Sequence, residues 1–376
     1  MKCRRCGNED DSLFYFGHRG YYCRKCISFG RVCLNESDNE VIEYEINDDS
    51  EEYCLKYPLT LRQKEISDKL VNTIDENDVL LKCVCGAGKT EMVVGVISKY
   101  LREKKKVGFA IARRQVVIDV GERLKEYFNK AKVVYVCQGY TRDVIGDLIV
   151  CTTHQLYRYT DYFDLLILDE PDAFPFRGND VLHGIVKNCC KGHIVYLTAT
   201  PDNWLKKKII NRELLVYELH KRPHGKDMPV PRVVLLPKVL GFIYVFYWLY
   251  KHDSHPCILF CPTIKLANLF KKLIKHSFIC TSKELEKDIQ INNFIEKGGV
   301  MVATTVLERG VTFKDVDVCV YGCDNEVFDE ASLVQMAGRA GRNFENPIGD
   351  VVFIASRKKK MVDECVRGIS KCNEEV

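Results

Sequence analysis

From residue 58 onward the chain alternates short apolar runs with longer amphipathic ones. Apolar runs stand at 79–84, 107–111, 132–136, 148–152, 165–168 and 194–198. The stretches between them have helical spacing. In 116–128, for example, Val116, Val117, Val120, Leu124 and Phe128 share one face. Strands that are apolar on both faces, alternating with helices, predict parallel sheets covered on both sides. The pattern pauses at Arg222-Pro223-His224-Gly225 and at Pro229-Val230-Pro231, which read as a linker. It resumes at 257–260, 300–304, 316–322 and 350–354. The expected fold is therefore α/β, with two lobes at 58–222 and 223–376. The longest uncharged apolar run, 239–250, lies between Lys238 and Lys251. A membrane span needs about 20 residues, so this run predicts a buried helix of a soluble protein.

Residues 1–57 do not follow that pattern. Cys3-x-x-Cys6 and Cys23-x-x-Cys26 are separated by sixteen residues. Two thiolates in one such turn grip one face of a Zn²⁺ tetrahedron, and a second turn closes the other. Residues 1–35 thus predict a four-cysteine zinc module, with Cys33 as a weaker fifth candidate. So short a segment buries little core, so the metal would supply the folding energy. Tyr21, Tyr22, Arg4, Arg5, Arg24 and Lys25 interleave rings and charges. That suits single strands, where bases stack and phosphates pair. It suits equally well the solvated surface of a zinc knuckle.

Residues 36–52 carry nine acidic side chains and no basic one. Residues 36–57 are read as an acidic linker, solvated or laid over a basic groove. The whole chain has a net charge of only +4, and residues 1–35 contribute +4. Residues 53–376 must then sum to +9, so the acidic segment masks a basic body. The 19 cysteines lie mostly singly in apolar runs, as at Cys257, Cys261 and Cys319. With no apolar segment after Met1, the expectation is no signal peptide and reduced thiols.

Cys85-Gly86-Ala87-Gly88-Lys89-Thr90 follows an apolar run and precedes a helical run beginning at Glu91. This is the setting of a phosphate-binding loop. Its glycines let backbone N–H groups approach the β- and γ-phosphates of ATP. Lys89 neutralises them, and the Thr90 hydroxyl ligates Mg²⁺. Cys83 stands where such loops usually begin with glycine or alanine. Eighty residues on, 165–168 runs into Asp169-Glu170-Pro171-Asp172. A carboxylate at the end of a buried strand is costly unless it meets a cation. Asp169 is expected to hold Mg²⁺, and Glu170 to orient and deprotonate the attacking water. In the second lobe, Gln335-x-x-Gly338-Arg339-x-Gly341-Arg342 predicts two guanidinium groups on one helix face, suited to phosphate oxygens.

In this order these motifs resemble a superfamily-2 helicase or translocase from Pro58 to about residue 360. The resemblance implies two RecA-like lobes with ATP in the cleft and a nucleic-acid strand across both. It places Arg62, Gln63 and Gly310 with the nucleotide-binding residues 85–91, and Gln335 with Arg339 and Arg342 as catalytic. Thr198 and Thr200 would couple hydrolysis to strand movement. Arg113, Thr152, Thr153, Thr263, Thr304 and Thr305 would contact the strand, holding phosphates without reading sequence.

Three stretches are more specific: 169–176, 306–313 and 328–335. With the cysteine module, and with 117–128, they resemble the ComFA family of late-competence DNA-uptake ATPases. The resemblance covers nearly the whole chain apart from the acidic linker. It implies a cytoplasmic, ATP-driven motor on single-stranded DNA, working at the inner face of the cell membrane; a homo-oligomer is a separate expectation, and the sequence does not give the oligomeric state. Implied partners are the membrane channel, a phosphoribosyltransferase-like companion and strand-loading proteins.

Two departures stand out. Pro171 replaces the more usual aliphatic residue of the acidic box, and Ala112-Arg113-Arg114 replaces Thr-Pro-Arg, leaving either arginine as the strand contact. The alternatives are a replication-restart DNA helicase, an RNA helicase with a zinc module, and a DNA clamp that no longer turns over ATP. The residues alone support a zinc-bearing ATPase dependent on DNA or RNA.

Overall fold

The structure, a computed structural model, describes residues 1–34, 44–307, 313, 315–344 and 347–374. The chain forms two compact units, Met1–Cys83 with Gly88–Leu219 and Val84–Ala87 with His220–Val376.

The first unit opens with an antiparallel hairpin, β1 (Phe14–Gly17) and β2 (Gly20–Cys23). Helix α1 (Leu61–Thr73) starts at a reciprocal cap. The Thr60 hydroxyl accepts from the Gln63 N–H, and the Gln63 side-chain oxygen accepts from the Thr60 N–H at 2.8 Å. Then come β3 (Val79–Cys83), α2 (Lys89–Met92), α3 (Val94–Arg102), β4 (Val107–Ile111) and α4 (Arg114–Tyr127). They are followed by β5 (Val133–Val136), β6 (Leu148–Thr152), β7 (Phe163–Asp169), α5 (Asp180–Cys189), β8 (Cys190–Thr198), α6 (Asn203–Ile210) and β9 (Leu215–Leu219). The seven strands β3–β9 form one parallel sheet in the order β5-β6-β4-β7-β8-β3-β9. Its middle strands are buried on both faces, which explains their unbroken apolar runs.

The cysteine module does not hang free. Cys3, Cys6, Phe14, Cys23 and Cys26 belong to the same buried cluster as Leu182, Ile185 and Val186 of α5. Arg5 donates to the carbonyls of Phe29 and Gly30 and lies over the Tyr157 ring. Phe29 packs on His154 and Tyr157, and Asn188 of α5 donates to the Arg4 carbonyl. A Cβ on Gly184 would sit 2.0 Å from the Cys6 carbonyl oxygen, so only glycine admits this contact. Gly184→Ala is expected to cost about 1–3 kcal/mol by overpacking, read as a lower denaturant midpoint. An unchanged midpoint would mean that the module does not sit on α5.

The described part of the acidic segment is a strap. Asp147, fully buried just before β6, accepts from the N–H and side-chain amide of Asn47, from Tyr44 and from the Lys132 N–H. Lys104 pairs with Asp48, and Lys130 pairs with Asp49 and Glu52. Lys104, Lys130 and Lys132 precede β4 and β5, at the edge of the sheet where its strands begin. Residues 44–54 are therefore held by bonds, while the carboxylates of Asp48, Asp49 and Glu52 stay exposed. Backbone and side-chain hydrogen bonds hold the segment, and it lies at the edge opposite the strand ends. Glu36, Asp38, Glu40 and Glu43 fall outside the described residues.

The second unit runs β10 (Arg232–Leu235), α7 (Lys238–Lys251), β11 (Cys257–Phe260), α8 (Ile264–Leu273), β12 (Ser277–Cys280), α9 (Lys287–Lys297) and β13 (Val300–Ala303). It continues with β14 (Asp317–Tyr321), α10 (Glu330–Ala337), β15 (Val351–Ala355) and α11 (Lys360–Glu374). Its six strands are parallel in the order β10-β15-β14-β11-β13-β12. Cys257, Cys261 and Cys319 are buried in its core. The run at 239–250 is indeed a helix, but not a buried one. Only Gly241, Val245 and Trp248 of α7 are fully covered, while Val239, Leu240, Ile243, Tyr247 and Tyr250 are exposed. One helix face suffices to cover β14 and β15, and the opposite face is left in water. No helix of the described residues is long and apolar enough to cross a membrane.

Candidate functional site

The register of the first sheet brings most of the predicted residues of that unit to one edge. Lys82 pairs with Thr198, Leu197 with Asp169, Asp169 with Ile111, and Ile111 with Thr152. Five neighbouring strands thus end level. Their ends carry the loop before Lys89, Thr198 and Thr200, Asp169 and Glu170, Arg113, and Thr152 and Thr153. Ligands of open α/β sheets bind at this carboxyl edge.

Within the phosphate loop, Gly86 and Gly88 take φ of +82° and +78°, where L side chains are strained. A Cβ on Gly88 would lie 2.5 Å from the Gln63 side-chain nitrogen. Gln63 is therefore wedged between its own cap and the loop, while Arg62 is exposed and pairs with Glu65 at 3.4 Å. Cys83 is buried, and desolvation pushes its thiol up to about 12, so it stays neutral near Lys89. Lys89 and Thr90 open α2, and Thr90 is buried. Glu91 accepts from Arg123 and Tyr127 of α4, at 3.2 and 3.1 Å, which braces the loop helix from behind.

The acidic box follows β7. Glu170 has φ +53°, a left-handed backbone held by its N–H bond to the Leu197 carbonyl at 2.8 Å. Asp172, which sequence reasoning gave no role, is 2% exposed. Its carboxylate accepts from the Thr198 hydroxyl at 2.5 Å and the Thr200 hydroxyl at 2.9 Å. The Thr200 N–H donates in turn to the Thr198 oxygen. The signal lay in the last letter of the box and the hydroxyls of Thr198-Ala199-Thr200. Only the fold reveals that they meet.

Arg113 is half-buried at the start of α4, whereas Arg114 donates to the Gln138 carbonyl and lies over Tyr140. Thr152 ends β6. Thr153 opens a short 3₁₀ turn and is 1% exposed, so its side chain faces inward.

In the second unit β11 and β13 are paired and also end level. Thr263 caps α8, accepting from the Leu266 N–H, and the Thr304 N–H donates to the Cys280 carbonyl. Thr305 opens the 3₁₀ turn Thr305–Leu307. Gly310 lies outside the described residues.

The expected helix under the two arginines is absent, because α10 ends at Ala337. Arg222 binds the turn that follows. It is 3% exposed and donates to the carbonyls of Gly338, Ala340 and Gly341, as well as to that of Cys85, which belongs to this unit. These bonds hold the chain after α10 in a turn, where Gly341 takes φ +64°. Burial, with Arg342 nearby, brings Arg222 down to about 10. The segment read as a linker therefore supplies a buried clamp. Arg339 is 2% exposed beside Phe313, and Arg342 donates to the Gly338 carbonyl. Gln335 is buried, and its side-chain oxygen accepts from the Cys85 thiol.

The sulfur atoms of Cys3, Cys6, Cys23 and Cys26 all lie within 4.8 Å of one another. The Cys3–Cys26 and Cys6–Cys23 separations are each 3.8 Å. A tetrahedron with Zn–S bonds of about 2.3 Å has edges of about 3.8 Å, so the set fits zinc. Hydrogen bonds from the Cys26 and Cys6 thiols pull Cys3 well below the ordinary thiol range. Cys33 is buried but stands outside this group, joined to Tyr22 by a β-bridge.

Residues 56–203 match the family described as "Type III restriction enzyme, res subunit", and 238–344 match "Helicase conserved C-terminal domain". Among solved structures, S. cerevisiae Dbp5 bound to RNA and ADP BeF3 is 17% identical with a TM-score of 0.64, covering 83% of this chain and 88% of that one. The DEAD-box helicase Mss116 bound to ssRNA and UDP-BeF is 18% identical with a TM-score of 0.62, covering 80% and 70%. At this identity the likeness establishes the fold, two RecA-like lobes. Among curated proteins, "Competence protein ComFA" of Bacillus subtilis (strain 168) is 31% identical, over 99% of this chain and 86% of its own. "Competence protein ComFA" of Streptococcus pneumoniae (strain ATCC BAA-255 / R6) is 30% identical, over 99% and 90%. At 30–31% identity along nearly its whole length, this chain belongs to the ComFA family of helicase-like competence proteins.

Proposed function

We propose that this chain is an ATP-driven motor on single-stranded DNA that draws incoming DNA inward during competence. The observation that carries this reading is membership of the ComFA family, and the Asp172 bridge, which ties the acidic box to Thr198 and Thr200, supplies a route for coupling. A change at the box can then move the neighbouring strand end. Lys89 neutralises the β- and γ-phosphates, with backbone amides of 85–90 around them. Gln63, Arg62 and Gly310 contribute to nucleotide binding, and Glu91 keeps α2 in place. Thr90 and Asp169 offer the hard oxygen donors that suit Mg²⁺, which when bound would neutralise phosphate charge. Glu170 orients the attacking water and accepts its proton. Arg339, Arg342 and Gln335 serve the charge that develops on the transferred phosphoryl group.

Arg113 or Arg114 holds the strand, and Arg114 also donates to the Gln138 carbonyl. Thr152, Thr263, Thr304 and Thr305 hold phosphates, and Thr153 acts through its backbone. The membrane channel, the phosphoribosyltransferase-like companion and the strand-loading proteins implied by the family would meet this motor at the cytoplasmic face of the membrane.

The test is steady-state ATP hydrolysis at one fixed salt concentration, with no nucleic acid, single-stranded DNA, duplex DNA or single-stranded RNA. The salt is fixed because phosphate contacts make binding salt-dependent. Stimulation by single-stranded DNA above the other three is expected. Equal or greater stimulation by RNA would return the chain to a general helicase with a zinc module.

Asp172→Asn tests the bridge. Loss of a hydrogen bond to a charged group should lower strand-stimulated turnover by about 10-fold or more. ATP affinity should stay near the wild-type value. Full stimulation in this variant would separate the box from the threonines.

A further inference from the structure

The β1–β2 hairpin carries an aromatic surface that the fold leaves in water. Tyr15 is 55% exposed, Phe16 65% and Tyr21 43%. The register pairs Tyr15 with Tyr22 on one face and Phe16 with Tyr21 on the other. Ring centroids within the pairs are 5.8 and 5.1 Å apart, with the rings edge to face. Only the base of the hairpin, Phe14 and Cys23, enters the core. Four adjoining rings in a two-stranded hairpin are more apolar surface than folding uses here, and such exposure marks a contact site.

The cations around these rings select the partner. Arg24 lies over Tyr15 at 5.9 Å and Arg31 over Tyr22 at 5.1 Å. From Ser12 to Leu34 the chain has four basic residues and no acidic one. The module's three carboxylates, Glu9, Asp10 and Asp11, are earlier in the chain. Glu9 pairs with Lys2, Asp11 with the amino terminus, and Asp10 with Ser12. Arg5 is committed to docking the module through Phe29, Gly30 and Tyr157. The remaining surface therefore alternates flat rings and guanidinium groups with no opposing charge.

We propose that this hairpin is a second binding site for single-stranded DNA, separate from the threonine positions at the sheet ends. Unstacked bases lie on Tyr15, Phe16 and Tyr21, and Arg24 and Arg31 meet the adjoining phosphates. Stacking on rings tolerates any base, and arginine adds both charge and a planar face. The same unit holds the hairpin and Thr152, and the α5 contacts fix the module to it. The strand would therefore be gripped by a surface that does not change with the nucleotide. This inference rests on the motor reading above.

The test uses the full chain and fluorescence anisotropy of labelled oligothymidylate across a salt series. Wild-type ATPase stimulation and zinc content are measured in parallel. Tyr15→Ala with Phe16→Ala should weaken binding about 10- to 100-fold, with the salt slope kept. Arg24→Gln with Arg31→Gln should lower the slope of log K against log salt by about 1.4, at about 0.7 per phosphate. Tyr15→Phe with Phe16→Tyr keeps both rings and should restore affinity. Wild-type affinity and slope in both loss variants, with zinc retained and the wild type stimulated by DNA, would overturn this site alone. The rings would then serve a protein partner. A wild-type chain that neither binds nor responds to single strands would overturn the motor reading together with it. If the alanine pair lost zinc, the arginine pair would decide. An oligouridylate arm separates a DNA preference from general strand binding.

Discussion

Replacing Lys89 with alanine is expected to reduce ATP turnover by about 100-fold or more, the size of effect seen when one preorganised charge is removed from a transition state. Lys89 is half-buried at the first position of α2, so its loss leaves no cavity in the core. Gly86 and Gly88 hold the loop in left-handed conformations that do not depend on the lysine. Phosphate release at saturating ATP and single-stranded DNA is the measurement. Turnover within a few-fold of wild type would remove the loop from the nucleotide site. Lys89→Arg should fail as well, because a planar fork does not replace a compact ammonium.

The second large effect concerns the thiols. Cys23→Ser with Cys26→Ser should take bound zinc from one per chain to none and unfold residues 1–34. Structural zinc sites in small peptides contribute about 10–16 kcal/mol at neutral pH. A hairpin of two four-residue strands has no comparable source of stability. The surface of α5 around Ile185 would lose its cover, so protease cleavage within the first 57 residues should accelerate. Elemental analysis and limited proteolysis read both outcomes, and a strong chelator should reproduce them in the wild type. Zinc retained at one per chain would mean that other ligands hold it.

The central strands and the two cysteine pairs were legible in the sequence because burial on both faces and fixed ligand spacing each leave a local mark. The strands not foreseen in the two large sheets are β9, β10 and β12, and all three are edge strands. β10, apolar at 233–236, follows directly on the prolines at 229 and 231 that read as a linker, which hid it. Contacts between distant residues left no mark either. Asp172 reaches Thr198 and Thr200 through the β7–β8 pairing. Arg222 looked like part of a Pro-Gly linker until its carbonyl partners more than a hundred residues away were known. The arginine motif was read as helix because Gln335 to Arg342 has helical spacing. The structure ends that helix at Ala337, and three of the carbonyls beyond it bind Arg222.

The docked cysteine module has a consequence for the order of biosynthesis. Arg4 is bound by Asn188, 184 residues downstream, and Asn47 by Asp147, 100 residues downstream. When the four cysteines leave the ribosome, neither anchor has been made. At about 5–20 residues per second, the module must wait roughly 10–30 s for α5. Early zinc capture would close the hairpin during that interval and keep four nucleophilic thiols from oxidation. A metal captured there would act first as a guardian of the nascent chain, and only later as part of a finished machine.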